Sequence, residues 1–518
     1  MRIFFFIIVC SIAYFGSLWA QLEWSAPITI SDAGFNAETP QVAMDESGNA
    51  ICVWRQQDGA NFNILAANTT DYGATWSSPQ IISQTGINNT VPQIAMDNLG
   101  HATAVWRAGN TIQTASSFDT GATWSSPQTL SAGFALDPEI AINPLGNAII
   151  VWREISGSVR IKVSYSSDFG ATWSPGVFIS TTSSFSPKVV LDSSGNAITV
   201  WQQSGAFSTI VRSYSSDFGA SWSSVSTISE VTNNSEFPQI TLDESGNSVA
   251  VWRQQTNDSV QTAYSSDFGV TWSSVQTLSN IGETVQDPRV AMNSSGNVIA
   301  LWRQLNSFPD FDIQAIYSSD FGASWSSPSA ISDTAESAIR PRIAINDMLA
   351  IAVFQQSIGA DTGIVSTDSS DFGVTWSSLD TLSDLEFIAI IPDISMDSSG
   401  NAIVVWSRSD GSNTRIQIAY ERTLPTVPTI YGSKKKEIFP LRIDLQNVIT
   451  CDPISDTGTY KLYDNSSLSN PLETLTTTNT TVYFVDHLQK KGVSKTYYVT
   501  WTNESGETSE PSSVTIER

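Results

Sequence analysis

Carboxylates are the side chains of this sequence best suited to chemistry, because it holds only two histidines, His101 and His487. Two histidines are too few for a zinc site built on several imidazole ligands. A pair of carboxylates can cleave a glycosidic bond when one serves as acid and the other as nucleophile or base. Many aspartates recur at a fixed spacing, which is typical of structural residues. The carboxylates outside that spacing are the ones to consider for catalysis: Glu139, Glu154, Asp310, Asp312 and Asp393.

A repeat of about fifty residues must position those carboxylates. One mark of the repeat is a Val-Trp or similar pair, whose aromatic members are Trp54, Trp106, Trp152, Trp201, Trp252, Trp302, Phe354 and Trp406. A second mark is a Trp-Ser pair, with Trp24, Trp76, Trp124, Trp173, Trp222, Trp272, Trp325 and Trp376. Residues 238–280 contain one repeat, with four short strands and glycine-marked turns. Such a unit is typical of one blade of a β-propeller.

The two ends of the repeat region predict how the ring closes. The segment LEWSAPITIS, from residue 22, is a fourth strand with no repeat before it. Residues 415–420 (RIQIAY) are a third strand with none after it. We therefore predict an all-β, eight-bladed propeller over residues 21–422, in which the first segment completes the last blade. An open β-solenoid is the alternative, but it would not need this complementary split.

Loop variability predicts which face of the propeller binds a ligand. Because strands alternate in direction, the first and third turns of every blade emerge on one face. The second turn and the link to the next blade emerge on the other, here called the divergent face because these segments differ among the repeats. Divergent loops on a uniform scaffold favour this face for binding.

The innermost strands should line the central channel at that face. Each is opened by a proline, and the residue after the proline varies among the repeats. These eight residues, here called the inner ring, are the ligand-binding candidates: Gln41, Gln93, Glu139, Lys188, Gln239, Arg289, Arg342 and Asp393. The alternative is a solvated channel without a ligand. The arginine that often follows the Val-Trp pair is expected to stabilise the blade by a repeated hydrogen bond.

The turn between the third and fourth strands carries a motif that reads SSDFGATW at residues 166–173. Its seven copies resemble the Asp-box, S-x-D-x-G-x-T-W, of sialidase-like (BNR-repeat) β-propellers. The aspartates are Asp71, Asp119, Asp168, Asp217, Asp267, Asp320 and Asp371. We predict that they are structural, with each carboxylate accepting backbone N–H groups while the tryptophan packs beneath the hairpin. In the second copy, SSFDTGATW, Asp119 reads as displaced by one position, which predicts a distorted turn.

The first turn of each blade repeats a polar residue in the same way, and a structural role is expected there too. Its members are Asp45, Asp97, Asn143, Asp192, Asp243, Asn293 and Asp397. A structural calcium ion at these turns is an open alternative, although each turn offers few carboxylates. No other cofactor and no further metal are expected.

The resemblance implies the site of a sialidase, which holds a carboxylate with three arginines and uses a tyrosine as nucleophile. Arg289, Arg340 and Arg342 could supply the arginines. The tyrosine has no counterpart, because the tyrosines of the repeats share one strand position or, for Tyr72, lie within an Asp-box. The family's Phe/Tyr-Arg-Ile-Pro segment is also absent, and sialidases usually have six blades. The resemblance therefore implies the fold and not the active site.

Two hypotheses about function follow. The first is a glycan- or protein-binding module that acts through its divergent face. The second is a sialidase-like glycoside hydrolase, for which Glu139 and Asp393 are the catalytic candidates because they alone combine a carboxylate with an inner-ring position. They fall in blades more than two positions apart, which argues for the first hypothesis.

The remaining segments are predicted to be a leader, a linker and a second domain. Residues 1–20 have the short basic start and apolar run of a signal peptide, which predicts a secreted or cell-surface protein. No later run is long enough to span a membrane. Residues 423–428 (TLPTVP) form a proline-bearing linker. Residues 429–518 resemble a fibronectin type III or other immunoglobulin-like β-sandwich, on the segment YYVTWTNESGETSEPSS.

The charge of the chain limits its partners. Fifty acidic and 25 basic residues give a net charge of −25. Nucleic-acid binding needs clustered lysine and arginine, so nucleic acid is excluded as a partner. We expect a monomer whose partner is a glycan or an extracellular protein.

Overall fold

The computed structural model describes residues 24–421 apart from residue 308 and, farther along, seven strands between residues 430 and 516. The chain divides into two compact units, of which the larger is Glu23–Arg422. The expected leader (1–20) and linker (423–428) lie outside the described residues. In the part of the chain that is described, no helix is long and apolar enough to cross a membrane.

The larger unit consists of 32 short strands. The first half comprises β1 (Ile28–Thr29), β2 (Ala37–Met44), β3 (Ala50–Asp58), β4 (Asn61–Thr69), β5 (Gln80–Ile81), β6 (Asn89–Met96), β7 (Ala102–Ala108), β8 (Thr111–Ser117), β9 (Gln128–Thr129), β10 (Phe134–Ile142), β11 (Ala148–Ser156), β12 (Ser158–Ser166), β13 (Val177–Phe178), β14 (Ser184–Leu191), β15 (Ala197–Gln203), β16 (Thr209–Ser215) and β17 (Ser226–Thr227). The second half comprises β18 (Ser235–Leu242), β19 (Ser248–Gln254), β20 (Ser259–Ser265), β21 (Gln276–Thr277), β22 (Val285–Met292), β23 (Val298–Ser307), β24 (Asp310–Ser318), β25 (Ser329–Ala330), β26 (Ala338–Ile345), β27 (Ala350–Ile358), β28 (Asp361–Ser369), β29 (Asp380–Thr381), β30 (Ala389–Met396), β31 (Ala402–Ser409) and β32 (Thr414–Glu421).

These strands form eight antiparallel sheets of four strands each. Seven of them, blades 1 to 7, use four consecutive strands, from β2-β3-β4-β5 to β26-β27-β28-β29. Blade 8 has the order β1-β32-β31-β30, so the start of the chain supplies its outermost strand. Ile28 pairs with Ile418 and Thr29 with Gln417 across this closure. The predicted eight-bladed ring and its closure within one blade are confirmed, and the open solenoid is excluded.

The core lies between neighbouring blades, around the second strand of each. The aromatic residue of every Val-Trp pair is completely buried. Trp54 of blade 1, for example, belongs to a cluster that also contains Ile403 and Val405 of blade 8. Each such cluster combines residues of two neighbouring sheets. The aromatic residue that recurs about every fifty residues therefore packs one blade against the next all around the ring.

A β-bulge interrupts every innermost strand opposite that buried aromatic residue. In blade 1, Glu38 pairs with Arg55 and Gln41 with Val53, so Thr39 and Pro40 together face Trp54. Proline has no N–H group, so its place in the bulge leaves no donor unpaired. The residue before the proline has a positive φ of 50° to 59° in all eight blades. These residues, here called the bulge ring, are Thr39, Val91, Asp137, Ser186, Phe237, Asp287, Arg340 and Ile391.

The first and third turns of a blade meet on one face, as predicted. In blade 3 the backbone N–H of Phe169, in the Asp-box, donates to the carbonyl of Gly146, in the first turn, at 2.9 Å. A Cβ on Gly146 would lie 2.0 Å from the ring of Phe169. Glycine is therefore required there to let the two turns stack.

The Asp-box aspartates accept hydrogen bonds within their own hairpins, in agreement with the structural role predicted for them. Asp168 accepts hydrogen bonds from Ser166 Oγ at 2.8 Å, from the backbone N–H of Thr172 at 2.8 Å and from Thr172 Oγ1 at 2.6 Å. Burial opposes ionisation, but these hydrogen bonds outweigh it and lower the pKa of Asp168. The pKa of the other six Asp-box aspartates is lowered in the same way.

Replacing one of these carboxylates is expected to weaken the fold without touching the divergent face. Asp168→Ala removes three hydrogen bonds, and we expect it to lower the free energy of unfolding by about 1–3 kcal/mol. Urea unfolding of the intact protein measures the change. Ser167→Ala, at the exposed neighbouring position, is the control and should have no effect. Equal stabilities of the two variants would contradict the structural role.

The predicted distortion of the second Asp-box is wrong. Asp119 stands two residues before Gly121, as Asp168 stands two residues before Gly170. Asp119 accepts from Ser117 Oγ at 2.9 Å and from the backbone N–H of Thr123 at 2.8 Å. The φ angles of Thr120 and Gly121, 56° and 85°, also match those of the other copies. The phenylalanine that precedes Asp119 occupies the free position of the motif, so the register never shifts.

The second unit contains seven described strands, named β33 (Ile430–Phe439), β34 (Arg442–Cys451), β35 (Thr457–Tyr463), β36 (Glu473–Thr478), β37 (Val482–Asp486), β38 (Lys495–Asn503) and β39 (Ser512–Ile516). They form two antiparallel sheets, of order β33-β34-β37 and β36-β35-β38-β39. Two such sheets agree with the expected β-sandwich. Membership in the fibronectin type III family stays a prediction.

Candidate functional site

The eight inner-ring residues occupy one position in their blades, directly after the bulge. Gln41 pairs with Val53, and Asp393, at the other end of the repeat region, pairs with Val405. All eight side chains are partly buried. The strand position is the one expected from the sequence, while the role of these residues in binding stays a prediction.

A cavity of about 330 Å³ opens where inner-ring and bulge-ring residues of blades 2 to 6 meet. This cavity is called the channel mouth, and its lining includes Val91, Asp137, Glu139, Ser186, Lys188, Phe237, Gln239, Asp287 and Arg289. Its volume lies in the range of small-molecule sites. A second cavity of about 480 Å³ lies farther along the same strands, toward the first turns, and is lined mainly by apolar residues.

The bulge-ring residues at the mouth were not among the ligand-binding candidates chosen from the sequence, because those candidates were the residues directly after each proline. The available signal was the residue before the proline, since an X-Pro pair stands at this position in all eight repeats. Phe237 and Val91 are the largest apolar members, and 49% and 43% of their surfaces are exposed.

Most charged groups of the inner ring are paired across blades. Lys188 forms an ion pair with Glu139 of the preceding blade. Arg342 Nε lies 3.4 Å from Asp393 Oδ1, again between neighbouring blades. Both catalytic candidates therefore already have cationic partners within the protein.

Arg289 is the exception. No described carboxylate lies within 4.0 Å of it, and its printed hydrogen bond runs from Nη1 to the carbonyl of Pro288 at 2.9 Å. Burial and the neighbouring Arg342 guanidinium lower the pKa of Arg289 to about 9, against opposing effects of the more distant carboxylates of Asp287, Glu139 and Asp393. The group therefore stays protonated at neutral pH, although its position disfavours the charge. A partly buried cation of this kind is stabilised by an anion that reaches it.

Arg340 adds a second cation on the divergent side of Arg342. Arg340 also lacks a carboxylate within 4.0 Å among the described residues. The carboxylate of Asp287 forms an ion pair with Arg303 instead, with 2.9 Å between Arg303 Nε and Asp287 Oδ2. Burial and the guanidinium groups of Arg303 and Arg342 lower the pKa of Arg340, against an opposing effect of Asp287. The three arginines considered from the sequence are thus neighbours on blades 6 and 7, and one of them is already paired.

Asp393 is the more unusual of the two catalytic candidates. Its Oδ2 accepts the backbone N–H of Val42 at 3.2 Å, which links blade 8 to blade 1. Burial raises its pKa, although Arg342, the N–H of Val42 and Arg289 act in the opposite direction. A carboxyl group with a raised pKa can act as a general acid. Glu139 is on blade 3, so three blade-to-blade steps separate the pair.

The other candidate carboxylates lie away from the channel. Glu154 accepts from Trp152 Nε1 at 3.0 Å and from Lys162 Nζ at 3.2 Å, which gives it a structural role. Asp310 and Asp312 begin a third strand, whereas the channel is lined by first strands. The structure does not bring these residues to the inner ring.

Examples of the repeated tyrosines and arginines make contacts within and between blades, in agreement with the structural role expected from the sequence. A Cβ on Gly219 would come within 3.4 Å of Tyr165 Cβ, so this tyrosine packs against the Asp-box of the next blade. Arg253 forms ion pairs with Glu236 at 2.9 Å and with Asp258 at 2.6 Å. Such arginines tie the second strand to the strand that carries the bulge.

The carboxylates of the first turns are used by the turns themselves. Asp45 accepts the backbone N–H groups of Ser47 at 2.8 Å and Asn49 at 2.9 Å, and the Asn49 amide at 2.7 Å. Across the described residues, no group of three or more His, Cys, Asp and Glu side chains could hold a metal ion. The structural calcium ion stays a prediction.

Comparisons with known proteins support the repeat family. Residues 98–280 match the BNR repeat-like domain. No curated protein matches the sequence. A protein of unknown function from Dyadobacter fermentans is 12% identical, with 78% of this chain and 99% of that chain covered and a TM-score of 0.42.

Two other solved structures are enzymes that act on glycans. A polysaccharide lyase of family PL25, an ulvan lyase, is 9% identical, with 76% of this chain and 95% of that chain covered and a TM-score of 0.47. The NanB sialidase of Streptococcus pneumoniae is 13% identical, with coverages of 77% and 70% and a TM-score of 0.34. At these identities the likeness assigns no residue of either site to this chain.

The family assignment thus depends on the matched repeats and on the geometry of the turns. Seven Asp-box hairpins share the same hydrogen bonds from serine or threonine to aspartate. Together with the matched residues, these hairpins support a relation of the larger unit, an eight-bladed β-propeller, to the BNR-repeat, Asp-box proteins.

Proposed function

We propose that the protein binds an anionic glycan at the channel mouth on its divergent face. The observation that carries the proposal is Arg289, a partly buried guanidinium that lines a cavity of about 330 Å³ and has no carboxylate within 4.0 Å among the described residues. A carboxylate or sulfate group of a sugar would supply the missing negative charge. Charge-assisted hydrogen bonds of this kind are the strong ones in binding sites.

The rest of the lining suits a saccharide. Gln239 and Ser186 offer hydrogen-bonding groups for hydroxyls, and the half-exposed ring of Phe237 offers an aromatic face. Ligand sites commonly combine a few polar groups with such an apolar wall. The net charge of −25 repels anions from the surface as a whole, so a local cation is needed to retain one.

The expected leader supports an extracellular ligand. A signal peptide at residues 1–20 would export the protein, and glycans rich in carboxylates and sulfates are extracellular polymers. Secretion or display at the cell surface is part of the proposal.

The test compares acidic oligosaccharides with neutral ones. Binding of hexagalacturonate, a heparin hexasaccharide and cellohexaose is measured by isothermal titration calorimetry on the mature protein. We expect an acidic member to bind and cellohexaose not to bind. Arg289→Gln should weaken that binding at least about 30-fold, because the charge partner of the anion is lost.

Arg160→Gln is the matched control. Arg160 lies on the third strand of blade 3 and stacks on Phe178, so its loss should leave affinity unchanged. Equal affinities of Arg289→Gln and the wild type, or no binding of any acidic member, would overturn the proposal.

A glycoside hydrolase is the second candidate, because burial raises the pKa of Asp393 within the channel. Turnover of aryl glycosides, including sialyl glycosides, tests it. Loss of turnover in both Asp393→Asn and Glu139→Gln would favour the hydrolase over a module that only binds.

A further inference from the structure

The bulge ring uses a backbone conformation that ordinary residues resist. Each of its eight members has a positive φ between 50° and 59°, and none of them is glycine. A non-glycine residue held in this region costs of order 1–3 kcal/mol, whereas glycine adopts it readily. The Asp-box hairpins of the same chain place glycine at one of their two left-handed positions. The side chains of the bulge ring are therefore retained at a cost in stability.

Most residues of the bulge ring lie at the channel mouth. Five of the eight, Val91, Asp137, Ser186, Phe237 and Asp287, line its cavity. They include an aliphatic, an acidic, a hydroxyl and an aromatic side chain, while the residue that follows is proline in every blade. A bulge re-aims one side chain of a strand. Here the bulge lets the residue before the proline vary from blade to blade, while the buried proline and the buried aromatic residue opposite it stay in place.

We infer that the bulge ring is a second tier of ligand contacts and that Phe237 and Val91 select the saccharide. This inference rests on the proposed function, because it concerns the same mouth. Arg289 lies on blade 6 and Phe237 on the adjacent blade 5. The anionic group of the ligand contacts Arg289, and the uncharged face of the same sugar ring packs on Phe237.

The distribution of charge around the two tiers gives the ligand one orientation. On blades 6 and 7 the bulge ring contributes Asp287, already paired with Arg303, and the cation Arg340. On blades 8, 1 and 2 it contributes only uncharged residues: Ile391, Thr39 and Val91. An acidic oligosaccharide therefore directs its charged group toward blades 6 and 7 and its uncharged part toward Val91.

The test separates the two tiers by the charge of the probe. Hexagalacturonate and its methyl ester, or heparin hexasaccharide and its desulfated form, serve as matched pairs in calorimetry with the mature protein. We expect Phe237→Ala and Phe237→Gly to weaken binding of both members of a pair by a similar factor of about 10. Arg289→Gln should weaken binding of the charged member alone.

A stability measurement makes the second tier testable without a ligand. Because glycine relieves the positive φ, Phe237→Gly should unfold at a urea concentration no lower than Phe237→Ala does. In an ordinary strand position the glycine variant would be the weaker one. The matched control is Phe118→Ala, which removes a phenylalanine of 48% exposure from the Asp-box face and should not change affinity.

The outcomes distinguish this inference from the proposed function. If the wild type binds an acidic oligosaccharide and both Phe237 variants bind it equally well, the second tier is wrong and the proposed function stands. A Phe237→Gly variant clearly weaker in urea than Phe237→Ala would also refute the second tier. If no saccharide of the panel binds to the wild type, both proposals fail together.

Discussion

Deleting residues 24–31 is expected to open the propeller and to cost more than about 5 kcal/mol of folding free energy. Those residues contain β1, which is hydrogen-bonded to β32 by Ile30 N to the carbonyl of Ile416 at 3.0 Å. Ile30 is 6% exposed, and burial of such a side chain alone is worth about 2–5 kcal/mol by the cost of truncating it to alanine. Urea unfolding and size-exclusion chromatography measure the effect.

The deletion also changes the surface of blade 8. Without β1, the third strand β32 becomes an unpaired edge, and unpaired edges recruit strands from other chains. We therefore expect the shortened protein to associate at micromolar concentration. A synthetic peptide of residues 23–33 added in excess should restore the monomer and the cooperative transition.

Point variants separate loss of closure from loss of a buried side chain. Ile228 has the same 6% exposure as Ile30, and its N–H donates to the carbonyl of Ile210 in blade 4 as that of Ile30 donates to the carbonyl of Ile416 in blade 8. Ile30→Ala and Ile228→Ala should cost similar amounts, whereas only the deletion should cause association. A deleted protein that stays monomeric and as stable as the wild type would show that the ring does not depend on β1.

The ring could be predicted from the sequence because its causes are local and periodic. Each second strand carries a buried aromatic residue, which is tryptophan in every blade except blade 7, where it is Phe354, so the positions of Trp54 and Trp106 already give the period. The bulge, unlike the ring, could not be predicted from local sequence. The residue before a proline ordinarily adopts an extended conformation, so the sequence around Thr39 or Phe237 does not indicate their positive φ.

The charge pairing of the site could not be predicted from the sequence either. Its electrostatics depend on pairs between blades, such as Lys188 with Glu139, which are 49 residues apart. Sequence order places the inner-ring residues around the channel but does not say which charges are neutralised. Among the described residues, Arg342 has a carboxylate within 4.0 Å and Arg289 has none, and this difference is a consequence of side-chain geometry.

Glu421 is expected to make the stability of the propeller fall as the pH rises. It ends β32 and pairs with Ala402 at the position where Ser166 pairs with Ala148 in blade 3. The other seven blades continue from that position into an Asp-box. In blade 8 a glutamate stands there instead, with 1% of its surface exposed and with no hydrogen-bond partner for Oε1 among the described residues.

The environment of Glu421 disfavours its ionised form. Burial, together with the carboxylates of Asp368 and Asp380 on blade 7, raises its pKa from 4.5 to about 8. The folded state therefore keeps the proton between these two pH values, while the unfolded chain releases it. Stability that is fully present below pH 4.5 is lost as the pH rises toward 8. At about 1.4 kcal/mol per pH unit, the whole loss amounts to about 5 kcal/mol.

The measurement is urea unfolding at pH 5, 6, 7 and 8. Glu421→Gln cannot ionise, so we expect it to abolish most of this decline and to be more stable than the wild type at pH 8. Asp380→Asn removes one of the two facing carboxylates and so lowers the folded-state pKa of Glu421 toward 4.5. The decline should therefore end at a lower pH than in the wild type, and its total should be smaller. Glu386→Gln, whose side chain is 78% exposed, is the control and should follow the wild type. Parallel pH profiles for Glu421→Gln and the wild type would mean that the carboxyl group of Glu421 is ionised in the folded protein at neutral pH.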